Sequence, residues 1–322
     1  MKILVIRLGS LGDVVLATPV LRCLKQQIDG GEIHFLTKKN STDLMSNNAN
    51  IDKLHVLRPN LDDTIDELRQ EHFDCIVDLH NNHRSRRIRH SLHVKSYVYK
   101  KENFGKFMLV LFKCDIMSGR HVVDRYMDAV KPLGVKPDGK GLELHLPAEL
   151  DSVYRSDKPF VAIACGAQHE TKRIPIDKIR YLAEHINSPV VLLGDKDDLR
   201  RMEEKDSVFP GNSTNLCGKT SLLESADIVQ RSSVVITSDS ALMHVASAFH
   251  RPVVALWGCT SPRFGFEAYH TEHFNYTPTS LRCWPCRRMG SEKCPKKHFL
   301  CMLSHDYDAI AERVNAIVST NN

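Results

Sequence analysis

The stretch "RLGSLGDVVLATPV", residues 7–20, follows the apolar run "KILVI" at 2–6 and decides how the chain begins to fold. The run reads as a buried strand and the residues beyond Ser10 as a helix, so the glycines and serine form a strand-to-helix turn. Turns of this kind usually cradle phosphate, because glycine lets backbone N–H groups approach and the helix N-terminus carries partial positive charge. Here an acid, Asp13, stands at the mouth. It either caps the helix, a common role for aspartate, or is placed there for chemistry. Pro19 is expected to kink or restart the helix, since it lacks an N–H and clashes with the preceding turn.

Two phosphate-binding fingerprints are missing. The glycines read G-S-L-G rather than G-x-G-x-x-G, and the second strand ends in Thr37-Lys38-Lys39 without the acid that would hold a ribose. This disfavours a nicotinamide-dependent dehydrogenase. The Walker pattern is absent as well.

Beyond the opening turn, strand-length apolar runs alternate with helix-length amphipathic segments. Expected strands are 2–8, 32–36, 73–79 and 96–99, then 160–165, 190–193, 234–237 and 253–257. Helices are expected at 62–72, after Asp124 and at 220–232. This alternation predicts an α/β protein with parallel, doubly wound sheets. The Pro-, Gly- and charge-rich region 137–159 reads as a linker. After it, "PFVAIACGAQHETKRIP" repeats the opening plan of strand, small-residue loop and helix. Two Rossmann-like domains facing a central cleft are therefore expected, over 1–150 and 151–322.

A chain of 322 residues, 42% hydrophobic and 26% charged, has the composition of a globular protein with room for two such cores. No apolar run reaches the ~20 residues of a membrane span. The first apolar stretch is short and broken by Arg7 and Asp13, unlike a signal peptide. A cytoplasmic location with reduced thiols is the expectation. A net charge of +5 is too mild to argue for nucleic acid.

Four further stretches bear on chemistry. "VVITSDSALMHVASAFHRPVVALWG" (234–258) has the plan of an anion site, in which Asp239 or Ser240 can cap a helix whose first N–H groups, at Ser240 and Ala241, face outward. His244 lies one turn in, on the face of Ser240. In "GAQHETKRIP" (166–175) Lys172 precedes a helix that Pro175 would start at its first turn. The acids of "LLGDKDD" (192–198) could hold a ribose or simply begin a helix. Seven Lys or Arg residues and no acid occupy 83–101, including Arg84, Arg86 and Arg87, and favour an anionic partner over a merely solvated face. Few aromatics interleave, which argues against a single-strand stacking platform. Finally, Cys283, Cys286, Cys294 and Cys301 could hold a structural zinc. Reduced thiols packed in a loop are the preferred reading, because the second pair lacks C-x2-C spacing.

Together these stretches resemble the family 9 glycosyltransferases, which include the ADP-heptose:lipopolysaccharide heptosyltransferases. "MKILVIRLGSLGDVVLATPVLRCLK" is similar to the family's opening, "HVVDRYMDAVKPLGV" (121–135) to its middle motif, and "SDSALMHVASAFHRPVVALWGCTSP" to its donor-binding segment. The resemblance runs over nearly the whole chain. It implies a GT-B fold with the acceptor on the N-terminal domain and a nucleoside-diphosphate sugar, ADP-heptose in the first instance, on the C-terminal one. It implies inverting transfer without an essential metal or cofactor, with Asp13 as base. Lys172 would neutralise the diphosphate, Asp239, Ser240, Ala241 and His244 would hold diphosphate and sugar, and Asp195 would meet the ribose. From the basic run, Arg84, Arg86 and Arg87, with Arg125, are expected to meet an anionic, lipid-linked envelope glycan, with peripheral contact at the inner membrane. Two departures concern the sugar: Asp-Ser-Ala replaces the family's Asp-Ser/Thr-Gly, and Ile174 replaces an aromatic. The alternatives are the same fold using a different nucleotide sugar, and a non-catalytic protein that binds a sugar nucleotide or anionic lipid.

Overall fold

β1 (Lys2–Ile6) is fully buried from Ile3 to Ile6 and pairs in parallel with β2 (Glu32–Thr37) on one side and β4 (Cys75–Asp78) on the other. β3 (Lys53–Val56) and β5 (Lys95–Val98) complete a parallel sheet of order β3-β2-β1-β4-β5. A run apolar on both faces belongs at the centre of such a sheet, where helices cover each side. The helix Leu11–Val15 ends early and a second, Thr18–Gln27, starts with Pro19 in its first turn, the restart that proline predicts. The computed structural model describes residues 1–205 and 208–320.

A second parallel sheet has the order β11-β10-β9-β6-β7-β8. Its strands are β6 (Val161–Ala164), β7 (Val190–Leu193), β8 (Ser213–Asn215), β9 (Val234–Ser238), β10 (Val253–Leu256) and β11 (His273–Tyr276). A core of Ile, Val and Leu from these strands packs under the helices Ile176–His185 and Tyr307–Thr320. Pro175 is the N-cap of the first of these helices rather than part of its first turn.

The chain divides into two units, one of Met1–Glu102 with Arg120–Pro147 and one of Asn103–Gly119 with Ala148–Asn322. The expected first domain, 1–150, included Asn103–Gly119, and the expected linker ran over 137–159; the structure differs on both. Residues 137–147 are not a free linker, because buried Arg22 holds Asp138 at 2.6 Å and Glu143 at 2.8 Å and so ties them to the first unit. The stretch Asn103–Gly119 packs with the second unit, where Leu109, Met117 and Phe264 form a small core and Arg263 Nε binds Asp115 at 2.6 Å. No helix of the described residues is long and apolar enough to cross a membrane.

Candidate active site

Ligands of doubly wound sheets gather at the carboxyl ends of the strands, where the strand order reverses. In the first sheet that point lies between β1 and β4, and in the second between β6 and β9. The residues singled out from the sequence fall largely at these two places.

In the first unit, Arg7 leaves the end of β1 buried, 6% exposed, and donates to the carbonyl of Leu79 at 2.8 Å beyond β4. It forms an ion pair with Asp13 Oδ1 at 2.6 Å and lies 5.4 Å from the centroid of the buried Tyr126 ring. The other oxygen, Oδ2, accepts from the backbone N–H and the hydroxyl of Ser10, both at 3.1 Å, closing a capping box. Ser10, not Asp13, is therefore the N-cap; Asp13 is the N3 acid of the capping box, a carboxylate fixed in direction with its side chain 22% exposed. His80 Nδ1 is 3.2 Å from Arg7, and burial, then the charges of Arg7 and Lys101, push its imidazole down to about 3. It is neutral at any physiological pH.

Gly9 is what lets Asp13 close over the turn. A Cβ at Gly9 would lie 2.5 Å from Asp13 Oδ2 and 2.7 Å from Asp13 Cβ. Gly9→Ala is accordingly expected to push the carboxylate away from Arg7 and to lower turnover by up to about 10²-fold, since a displacement near 1 Å suffices for that. Steady-state kinetics measured well below the melting temperature check this, because moving Asp13 away from buried Arg7 also lowers Tm by several degrees.

In the second unit, Lys172 Nζ sits 2.7 Å from Asp239 Oδ2, which also accepts from Thr260 Oγ1 at 2.9 Å. Burial pushes the Asp239 carboxyl up, but Lys172, Thr260 and His244 together hold the group below the usual carboxylate range. Gly258 allows the Lys172 loop this position, because a Cβ there would meet the carbonyl of Thr171 at 2.6 Å. The helix Ala241–Ala248 begins immediately after Ser240, with His244 buried one turn inside. Ser240 is the N-cap residue, yet its hydroxyl turns to Thr237 Oγ1 at 2.8 Å and makes no side-chain cap bond. The side-chain cap expected from Asp239 or Ser240 is thus replaced by an ion pair and a hydroxyl contact.

Asp195 stands apart from this group. It caps the helix Lys196–Glu203, its Oδ1 accepting from the N–H groups of Asp197 and Asp198 at 2.8 and 3.0 Å. Of the two readings open for these acids, beginning a helix is the one the geometry displays.

The basic run is partly compensated from outside itself, contrary to its appearance in the sequence. Arg89 pairs with fully buried Asp78 at 2.9 Å and Arg87 with Asp62 at 2.5 Å. Arg84, Arg86 and Arg87 are exposed on the helix His83–Leu92. Arg84 lines a cavity of about 640 Å³ with Lys38, Lys39 and Arg58. Arg125 differs: it is 5% exposed and paired with Glu102 at 2.8 Å, so it belongs to the interior of the first unit rather than to an exposed acceptor surface.

Among the described residues, one group brings three metal-ligand atoms within 4.8 Å of one another: His34, His55 and Glu71. His34 Nδ1 is 2.9 Å from His55 Nε2, while Lys2 and Lys53 both pair with Glu71. The ammonium groups make this an ionic network around two buried histidines, at the amino ends of the strands and away from the carboxyl-end site. The four late cysteines do not form such a group. Burial pushes the Cys301 thiol up to about 12.

Two doubly wound parallel sheets, one carrying an oriented carboxylate and the other a lysine beside a helix start, are the architecture of a GT-B fold. An Escherichia coli ADP-heptose lipopolysaccharide heptosyltransferase II shares the fold with a TM-score of 0.74 at 20% identity, over 100% of this chain and 99% of that one. A glycosyltransferase family 9 protein from Veillonella parvula gives a TM-score of 0.71 at 25% identity over 85% of each chain. The chain belongs to glycosyltransferase family 9, the heptosyltransferases, whose model matches residues 63–297. It is 24% identical over 280 residues to lipopolysaccharide heptosyltransferase 3 of Escherichia coli, covering 79% of this chain and 81% of that protein. It is 34% identical over 124 residues to lipooligosaccharide heptosyltransferase 2 of Haemophilus influenzae, a match that spans 36% of each.

Arg7, Thr260 and Tyr126 were not singled out from the sequence. Arg7 had a signal, being a cation directly after a buried strand. Thr260 had none, since its link to Asp239 exists only through the tertiary fold.

Proposed function

We propose that this chain transfers a heptose from ADP-heptose to an anionic, lipid-linked acceptor of the lipopolysaccharide core, with inversion and without a metal, at the cytoplasmic membrane surface. The observation that carries this reading is the Lys172–Asp239 pair beside the start of the helix Ala241–Ala248. A cation and unblocked backbone N–H groups together suit the two phosphates of a leaving nucleoside diphosphate.

In this mechanism the acceptor hydroxyl attacks the anomeric carbon on the face opposite the diphosphate. A C–O bond forms there as the bond to the β-phosphate oxygen breaks, and the electron pair leaves with ADP. Asp13 takes the hydroxyl proton, with Arg7 and Ser10 fixing the direction of its carboxylate. Lys172 moves from Asp239 toward the diphosphate and offsets the growing charge, while Ser240 and the N–H of Ala241 donate to it. Asp239 and His244 hold sugar hydroxyls. Asp195 remains available to a ribose only through the oxygen that does not cap the helix.

Incubation with ADP-heptose and a heptose-deficient core acceptor, followed by mass spectrometry, tests the reading. A mass increase of one heptose is expected, and it should persist in excess chelator because the donor motifs contain no clustered carboxylates of the kind that hold Mg²⁺. Faster transfer from another nucleotide sugar would reassign the donor, and an absolute need for Mg²⁺ or Mn²⁺ would overturn the mechanism.

Arg84, Arg86 and Arg87 are the proposed contacts to the anionic acceptor. Neutralising all three to Gln should raise the acceptor KM and leave donor affinity unchanged, with high salt mimicking the effect by screening. A loss of donor affinity instead would remove them from acceptor recognition.

A further inference from the structure

Five of the eleven large apolar side chains exposed among the described residues fall between Phe104 and Ile116. The helix Asn103–Phe112, "NFGKFMLVLF", is apolar almost all round. Its Gly105 and Leu109 face the second unit, toward Met117 and Phe264, and Lys113 clamps its end by donating to the carbonyls of Cys283 and Pro285 at 3.0 and 2.6 Å. The opposite side presents Phe104, Phe107 and Leu111, at i, i+3 and i+7, with Phe112 beside them. Phe104 is 68% and Phe112 61% exposed. A helix apolar on every side is normally covered on every side.

We propose that this face docks on an anionic lipid bilayer. Asn103 to Cys114 contains Lys106 and Lys113 and no acid. The neighbouring loop, reached through the Lys113 contacts, exposes Arg282, Arg287, Arg288, Lys293, Lys296 and Lys297 against the single acid Glu292, and places Met289 there 70% exposed. Apolar side chains that enter the acyl boundary, flanked by cations that meet headgroup phosphates, are the composition of an interfacial helix. Self-association fits less well. The five apolar side chains offer roughly 600 Å², short of the ~800 Å² per partner of a stable interface, and the cationic loop would face a second cationic loop. The proposal rests on the functional reading only in that a lipid-linked acceptor calls for such docking; the lipid contact itself is measured independently.

Co-sedimentation of the full chain with vesicles tests it. Binding is expected to vesicles of phosphatidylglycerol and phosphatidylcholine, and at least tenfold weaker binding to pure phosphatidylcholine. Phe104→Ser/Phe112→Ser should weaken binding to the anionic vesicles at least tenfold with unchanged Tm and unchanged transfer to a deacylated, water-soluble acceptor. Arg287→Gln/Arg288→Gln should weaken it as well. Absence of binding by the wild-type protein, or equal binding by the phenylalanine variant, overturns the proposal. So does a wild-type dimer in sedimentation velocity that the same variant converts to monomer without altering vesicle binding. Failure of transfer to the soluble acceptor would instead strike the functional reading and leave the lipid result standing.

Discussion

Asp13→Asn should lower kcat by roughly two to four orders of magnitude at saturating donor and acceptor, the usual contribution of a general base. Asparagine keeps the length of the side chain and can still accept from Ser10, so the helix start survives. The substitution is not silent for stability, however. Arg7 is buried and loses its carboxylate partner while keeping the Leu79 carbonyl. A hydrogen bond to a charged group contributes about 1.5–3 kcal/mol, so a Tm lower by several degrees accompanies the loss of turnover. Rates measured well below that Tm separate the two effects. Ser10→Ala is the matching control, since it removes a hydroxyl contact to Oδ2 and leaves the Arg7 pair. It should cost stability on the scale of a lost cap, about 1 kcal/mol, and change turnover only a few-fold. An Asp13→Asn protein with near-normal turnover would return this residue to capping alone.

Lys172→Ala should reduce transfer by about 10²–10³-fold, the range seen when one preorganised stabiliser of developing charge is removed. ADP affinity should fall with it in a calorimetric titration. Asp239 makes the pattern of double substitution diagnostic. With Lys172 gone, the Asp239 carboxylate keeps Thr260 but loses its cation partner, so whatever negative charge it carries faces an incoming diphosphate uncompensated. Lys172→Ala/Asp239→Ala should then bind ADP better than Lys172→Ala alone, and the two effects should be strongly non-additive. Simple additivity would mean that the pair does not act as a unit, and unchanged ADP affinity in Lys172→Ala would remove this lysine from the donor site.

The two predictions depend on the sequence to unequal degrees. The glycine turn, the acid at its mouth and the Ser-Asp-Ser helix start were legible because each is local, built from residues close together in the chain with definite backbone demands. The buried central strands were legible for a related reason, since a strand covered on both faces must be a continuous apolar run. The three strands not anticipated, "KLHV" at 53–56, "STN" at 213–215 and "HFNY" at 273–276, all lie at sheet edges. An edge strand is half exposed and its polar residues hide the pattern. The helix Asn103–Phe112 escaped notice in the opposite way, because its side chains look like core and only the fold reveals which of them lack a cover.

By itself, then, the sequence determined two parallel α/β cores, the opening turn with Asp13, the helix start at Ser240 and an order of motifs similar to one transferase family. Partners distant along the chain were decided only by tertiary structure. Arg7 reaches Asp13 and the Leu79 carbonyl because β1 and β4 are neighbours. Lys172 and Thr260 reach Asp239 because β6, β9 and β10 end side by side. Arg125, a plausible surface cation in the sequence, is drawn inside by Glu102. Local backbone geometry is written in neighbouring residues, whereas the pairing of charges depends on which strand ends the folded sheet sets next to each other, and a buried charge is stable only where that pairing is made.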